Sequence, residues 1–460
     1  MTEPSGALVV FGATGDLAKR YLFPGLHEIA RRGRLPSRVI GVARSDWDDE
    51  RFRGYARASV EKFGPHGLDA RAFDRLASAL RFVRGEYTDP DTYRRLSKAI
   101  DGARRPLAYL AVPPSVFVAV IEGLVDAGLN EDGRIIVEKP FGRDLASARA
   151  LNECVVREFG EQNVFRMDHF MGKEPVLDLL VFRFDNLILE PLWNRHYIQS
   201  VQITLAEEIG TEGRGRFYEE VGALRDVVQN HLLELVSLVA MEPPAAPDGT
   251  ALRDEKAKVL RAMRSFDPND VVRGQYLGYR EEDGVAADSE VETFVALRAH
   301  IDNWRWSGVP FYLRTGKRLS RSSTQALVEF HRPPRPLFHD PGGPPPHPNH
   351  FAFRLKPDEG MSLSVQIKES GDRLVSAPVE LDYHYDEHRE SKEETAYERL
   401  LEEAIDGDPT LFARADAIEE AWRIVTPVLE QPPPLRFYEQ GSWGPTEVDE
   451  LIDEDWHQPA

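Results

Sequence analysis

Along the first 140 residues, short apolar runs alternate with stretches whose apolar positions recur at helical spacing. Ala7-Leu8-Val9-Val10-Phe11 is apolar without a break, the pattern of a strand buried on both faces of a parallel sheet. Gly12 to Gly15 predicts a turn, and the apolar positions from Leu17 to Arg31 predict a helix. Further strands are predicted at Arg38 to Ala43, Leu107 to Val112 and Arg134 to Val137, with a helix over Ser115 to Ala127 between the last two. Strand, helix and strand in this succession imply a doubly wound α/β domain.

The pattern changes near residue 175. Gly222 to Met241 reads as one long, mostly apolar helix. Ser200 to Ala206, Glu290 to Ile301, Gly308 to Leu313, Ala326 to Phe330, Ala352 to Leu355 and Ser362 to Ile367 read as strands. Pro333 to Pro348 is too rich in proline and glycine for anything but a loop. Amphipathic helices are expected at Tyr397 to Ala404 and Ala413 to Leu429. Many strands with few intervening helices suggest an α+β domain with a large, mainly antiparallel sheet. The 460 residues exceed one ordinary core, and the expected division is residues 1–175 and 176–460.

Composition narrows the function classes. The polar start Met1-Thr2-Glu3-Pro4 gives no expectation of a secretory signal, and no apolar run is long enough to span a bilayer. The single cysteine, Cys154, excludes an internal disulfide and a cysteine metal cluster, and fits a reducing cytoplasm. A net charge of −20 disfavours nucleic acid and anionic membranes as partners. It would also repel a phosphorylated small molecule, so basic residues inside motifs gain weight.

Gly12-Ala13-Thr14-Gly15-Asp16-Leu17-Ala18 joins a strand to a helix. The first glycine allows a tight turn, the second lets backbone approach a pyrophosphate, and Ala18 permits close packing. The phosphates would meet free N–H groups at the helix start. An ordinary βα turn could carry the same glycines, and the end of the second strand sharpens the choice. Arg44 stands there, and its planar fork suits the 2′-phosphate of NADP. Asp46, two residues on, leaves NAD open.

Three further segments carry candidate chemistry. Glu138-Lys139-Pro140-Phe141-Gly142 follows a strand, where doubly wound folds bind ligands. In Arg166-Met167-Asp168-His169-Phe170-Met171-Gly172-Lys173-Glu174, His169 and Lys173 supply phosphate donors and Asp168 a carboxylate partner. His231 lies in the apolar helix on the face of Leu224 and Val227, which suits a core histidine. It equally suits a general base for oxidising a hydroxyl, because histidine titrates near neutrality. In a regular helix Asp226 and His231 would stand about 140° apart.

GATGDLA, EKPFG, DHFMGKE, GTEGRG, RDVVQNH, RGQY, HIDNWRW and RTGKRL occur here in one order, and over about residues 5 to 456 the chain resembles the glucose-6-phosphate dehydrogenases. The resemblance implies a Rossmann-type N-terminal domain, and hydride transfer from C1 of β-D-glucose 6-phosphate to NADP, giving the 6-phosphogluconolactone without a metal. It implies His231 as the base, with Asp168 orienting it. It implies His169 and Lys173 on the phosphate, Glu207 and Asp226 on sugar hydroxyls, Lys317 as a further basic contact, and Lys139 near both substrate and nicotinamide. Gly12, Ala13, Thr14, Gly15, Asp16, Leu17, Arg44 and Pro113, with Lys139, form the expected cofactor set. A homodimer or homotetramer, pairing through the large sheet, is expected.

The chain departs from the family pattern at three places. Phe170 replaces a usual tyrosine, Ser322 a usual basic residue, and Lys356 a usual glutamine. Lys356 is expected to restore the positive charge missing at Ser322 and so to bind substrate. The departures keep a related sugar-phosphate dehydrogenase, of altered substrate or cofactor preference, as the alternative. A silent nucleotide-binding regulator is disfavoured because Asp168 and His231 are both present.

Overall fold

The computed structural model describes residues 3–338, 346–385, 394–453 and 455–458. They form two compact units. One comprises Met1–Lys173, Pro244–Asp254 and Glu393–Glu419, and the other Glu174–Pro243, Glu255–Lys392 and Glu420–Ala460. The first crossing between the units falls at Lys173/Glu174, and two later segments return to the first unit.

The first unit is built on β1 (Ala7–Phe11), β2 (Arg38–Ala43), β3 (Leu80–Arg84), β4 (Leu107–Leu110), β5 (Arg134–Glu138) and β6 (Val164–Met167). Every pair is parallel, in the order β3-β2-β1-β4-β5-β6. This is the doubly wound order, whose reversal between β1 and β4 opens a crevice at the carboxyl ends of the strands. All five β1 residues are buried, which explains the unbroken apolar run. The helix after β1 differs from a regular one at its start. Phe23 N–H bonds to Ala18 O, five residues back, so Ala18–Leu22 is wound as a π-helix before Phe23–Arg32 continues as an α-helix.

Arg134, buried at the start of β5, ties in the returning chain. Its guanidinium donates to Ser5 Oγ at 3.0 Å, Ile405 O at 2.9 Å and Glu3 O at 2.9 Å. Ile405 belongs to helix Ala396–Asp406, which opens on a capping box between Thr395 and Glu398. Arg32 ion-pairs with Glu398 and Glu402 of the same helix. The helix is thus held to the first unit by charge at its start and by backbone acceptors at its end.

The second unit carries β7 (Ile198–Ala206), β8 (Val271–Tyr276), β9 (Phe294–His300), β10 (Pro310–Gly316), β11 (Ser323–Phe330), β12 (His350–Lys356), β13 (Gly360–Lys368), β14 (Ser376–His384) and β15 (Leu435–Tyr438). They form one sheet in the order β14-β13-β12-β11-β7-β10-β9-β8-β15. The sheet is mainly antiparallel as expected, with β7/β10 and β8/β15 the parallel pairs. β8, β14 and β15 were not anticipated, and β14 has mostly exposed side chains that give no apolar signal. Residues 339–345 of the proline-rich loop lie outside the described residues.

The helix expected over Gly222 to Met241 runs without a break from Leu224 to Ala240, but it begins after Gly222 and its first half is not α-helical. Gly222 breaks the chain with φ 64° and ψ 174°, after which Glu292 restarts it by accepting the N–H of Leu224 at 3.1 Å. Leu224–Leu232 is then wound as a π-helix, and Leu233–Ala240 continues as an α-helix. Leu233 N–H reaches Val228 O, five residues back. In such winding, residues five apart sit about one turn apart on nearly one face. The separation of about 140° between Asp226 and His231 therefore does not hold, and the correction comes from the backbone.

Candidate active site

The turn after β1 is dictated by close approach. Gly12 has φ +82°, and a Cβ there would lie 2.1 Å from Ala111 O, beyond β4. Only glycine fits. Gly12 N–H bonds to Val42 O at 3.0 Å and Gly15 N–H to Gly12 O at 2.9 Å, closing the turn. Ala13 is buried beneath it. Thr14 is held from two sides, by the Ser45 hydroxyl at 3.2 Å and by Tyr55 Oη, which donates to its carbonyl at 3.1 Å. The helix starts at Asp16 and Leu17, with Asp16 ion-paired to Arg20 at 2.8 Å. This arrangement aims a helix N-terminus across the crevice, the geometry that takes a pyrophosphate.

Arg44 is exposed directly after β2, beside that turn. Asp46, the residue that left NAD open, is engaged by Arg84 at 2.5 Å. Tyr87, overlooked in the sequence, packs edge-on against Phe11 at 6.0 Å. Burial raises its hydroxyl pKa, while the Gly12 backbone and the Arg44 charge pull it down, so Tyr87 lies between turn and arginine. An aromatic residue just beyond β3 was the available signal. Pro113 is exposed and opens the 3-10 turn that follows β4.

The carboxyl ends of β5 and β6 hold the next group. Glu138 ends β5 and Lys139 follows it. Glu138 is half-buried, yet its carboxyl is enclosed: burial pushes it up to about 7, against a hydrogen bond from Tyr109 and the charge of Lys139. Asp168, after β6, is buried and also raises Glu138. Its Oδ1 accepts the Phe170 N–H at 3.0 Å, capping the 3-10 turn His169–Gly172. Lys173 places its ammonium 4.7 Å above the buried Phe170 ring, so a phenylalanine here still supports the lysine. Arg166, at the head of the same motif, instead points inward to Asn152 Oδ1 at 2.9 Å and Glu161 at 2.8 Å.

The second unit gathers its own set. Lys317 Nζ donates to Glu207 Oε2 at 2.6 Å and lies 5.1 Å over the Tyr218 ring. Tyr218 is fully enclosed, and burial, then the charges of Asp226, Glu292 and Glu207, raise its pKa well above the usual phenol value. Tyr218, also overlooked, thus joins Glu207, Asp226 and Lys317 into one cluster. His231 is buried near the end of the π-wound segment. Ser322 is bound reciprocally to Glu208, accepting its N–H at 3.0 Å and donating its own at 3.2 Å. Lys356 is exposed at the end of β12, with its Cα opposite that of Thr324, two residues from Ser322.

The NAD-binding domain of glucose-6-phosphate dehydrogenase matches residues 9–178, and the C-terminal domain of the same enzyme matches residues 180–458. The chain belongs to the glucose-6-phosphate dehydrogenase family. It is 44% identical to glucose-6-phosphate 1-dehydrogenase 1 of Mycobacterium tuberculosis, covering 97% of this chain and 95% of that protein. It is 40% identical to the glucose-6-phosphate 1-dehydrogenase of Dickeya dadantii, covering 97% and 96%. The crystal structure of the Mycobacterium avium glucose-6-phosphate 1-dehydrogenase matches with a TM-score of 0.90 at 46% identity, over 99% of this chain and all of that one. A glucose-6-phosphate dehydrogenase in complex with its substrate glucose-6-phosphate matches with a TM-score of 0.91 at 34% identity, over all of both chains.

Arg44 is the expected contact for the 2′-phosphate of NADP. Arg44→Ala should weaken NADP binding by about ten- to hundredfold, the size of a charge-assisted hydrogen-bond pair. NAD binding should stay within about twofold, since the interaction lost is with the 2′-phosphate. Quenching of protein fluorescence by each nucleotide measures both constants. Equal weakening of the two would refute the assignment.

Proposed function

We propose that the chain oxidises β-D-glucose 6-phosphate at C1 to the 6-phosphogluconolactone, with NADP as the hydride acceptor. The carrying observation is the DHFMGKE segment: it follows β6 at the carboxyl edge of a doubly wound sheet, in a chain whose whole length matches this family. The glycine-enforced turn, Arg44 beside it and the capture of Asp46 by Arg84 suit NADP.

His169 and Lys173 bind the phosphate, and Glu207 and Asp226 hold sugar hydroxyls, with Lys317 held against Glu207. His231 takes the proton of the C1 hydroxyl, while Asp168 orients the imidazole and stabilises its protonated form. Bound NADP supplies the acceptor for the hydride leaving C1. The local cations Lys139, Lys173 and Lys317 offset a net charge of −20 that would otherwise repel the substrate. No helix among the described residues is long and apolar enough to cross a membrane. With one cysteine in the chain, this supports placement in the cytoplasm. A homodimer or homotetramer is the assembly we infer from the family.

His231→Asn should lower kcat by at least about a hundredfold, the usual worth of a general base. Absorbance at 340 nm with glucose 6-phosphate and NADP measures it. A variant within about fivefold of wild type would rule His231 out as the base. Lys356→Gln tests the departures in the phosphate region. It should raise KM for glucose 6-phosphate about tenfold, the size of one charge-assisted contact, whereas an unchanged KM would show that Lys356 does not stand in for the basic residue replaced by Ser322.

A further inference from the structure

Helix Ala396–Asp406 packs on the 168–173 segment, inside the first unit. Gly172 packs so tightly on it that a Cβ would lie 2.7 Å from Ala396 O. Arg399 donates to Gly172 O at 2.9 Å. The Tyr397 ring is near-parallel to the His169 imidazole, with 8° between planes and 6.0 Å between centroids. It also stacks on Tyr21 of the helix after the dinucleotide turn, at 4.7 Å and 17°. The Tyr397 hydroxyl lies near the Glu138 carboxyl, whose charge raises its pKa. Glu138 accepts from Tyr109, which is wholly buried in β4, with its hydroxyl 3.2 Å from Met167 Sδ.

From this geometry we infer that Tyr397 is a positioning residue for the sugar-phosphate site: it sets the plane of the His169 imidazole from behind. The inference rests on the reading of His169 as a phosphate ligand. An imidazole donates along one direction in its ring plane, so a tilted ring costs the hydrogen bond even when the residue remains. An offset ring stack restricts that tilt, and at this separation it is an attractive contact. Tyr397 is itself held by the stack on the Tyr21 ring and by the packing of its helix on Gly172. Burial, the larger effect, raises the Tyr397 hydroxyl pKa, and the nearby Glu138, Tyr21 and Asp168 raise it further, so it stays protonated and able to donate. The residue lies far along the chain from His169 and touches no reacting atom in this account.

Tyr397→Leu removes the ring, and Tyr397→Phe keeps it. The leucine variant should raise KM for glucose 6-phosphate about fivefold or more, the size of one neutral hydrogen bond. Its kcat and its KM for NADP should stay within about twofold. The phenylalanine variant should recover most of that KM. A purely structural role would move all three constants together, or only the melting temperature, and would overturn the proposal. So would an unchanged KM in a folded leucine variant. A second readout needs no turnover. The His169 ring protons, assigned by their loss in His169→Gln, should carry a ring-current shift that disappears in Tyr397→Leu and persists in Tyr397→Phe. If wild type fails to reduce NADP with glucose 6-phosphate, the functional reading falls, and this shift still decides whether Tyr397 holds the ring. An imidazole signal identical in wild type and Tyr397→Leu overturns the positioning claim directly.

Discussion

Parallel strands finish in the same direction, so the residues that follow them collect along one edge of the sheet. Five of the six strands place the Gly12 turn, Arg44, Pro113, Lys139 and Asp168 along a single edge of the first unit. The strictest requirement within that edge is the space between β1 and β4. Gly12 passes so near the Ala111 carbonyl that no side chain can be accommodated, and the helix start that follows is aimed by that passage. The turn after β1 depends on this one steric constraint, and the neighbouring groups depend on the alignment it belongs to.

Local signals in the sequence were strong where burial imposed a period. The continuous apolar run of β1 and the glycines after it located the turn, and DHFMGKE located the segment after β6. What failed was whatever depended on distant chain. Glu292 reaches from another part of the second unit to cap Leu224, and the apolar stretch that reads as a regular helix is π-wound over its first half. That winding brings Asp226 and His231 towards a common face, which a regular helical period denies. The return of residues 393–419 to the first unit likewise left no periodic mark, so Tyr397 was read only as the start of an amphipathic helix.

Tyr218 and Tyr397 share a role that composition conceals. Each puts a ring beside a charged or polar group: Tyr218 under Lys317 and Tyr397 against His169. An aromatic ring restricts a polar side chain without competing for its hydrogen bonds, which suits groups that must point at a ligand. In the first unit the enclosed Glu138 carboxyl accepts from Tyr109 and lies near Tyr397, so it joins β4 and β5 beside helix Ala396–Asp406 and the His169–Gly172 turn.

The central claim is that hydride leaves C1 of the sugar phosphate for the nicotinamide. The most direct measurement supplies glucose 6-phosphate carrying deuterium at C1, together with NADP, and reads the reduced cofactor by mass spectrometry. The account predicts NADPH heavier by one mass unit for each lactone formed. Unlabelled NADPH, or no reduction while other sugar phosphates react, would contradict it.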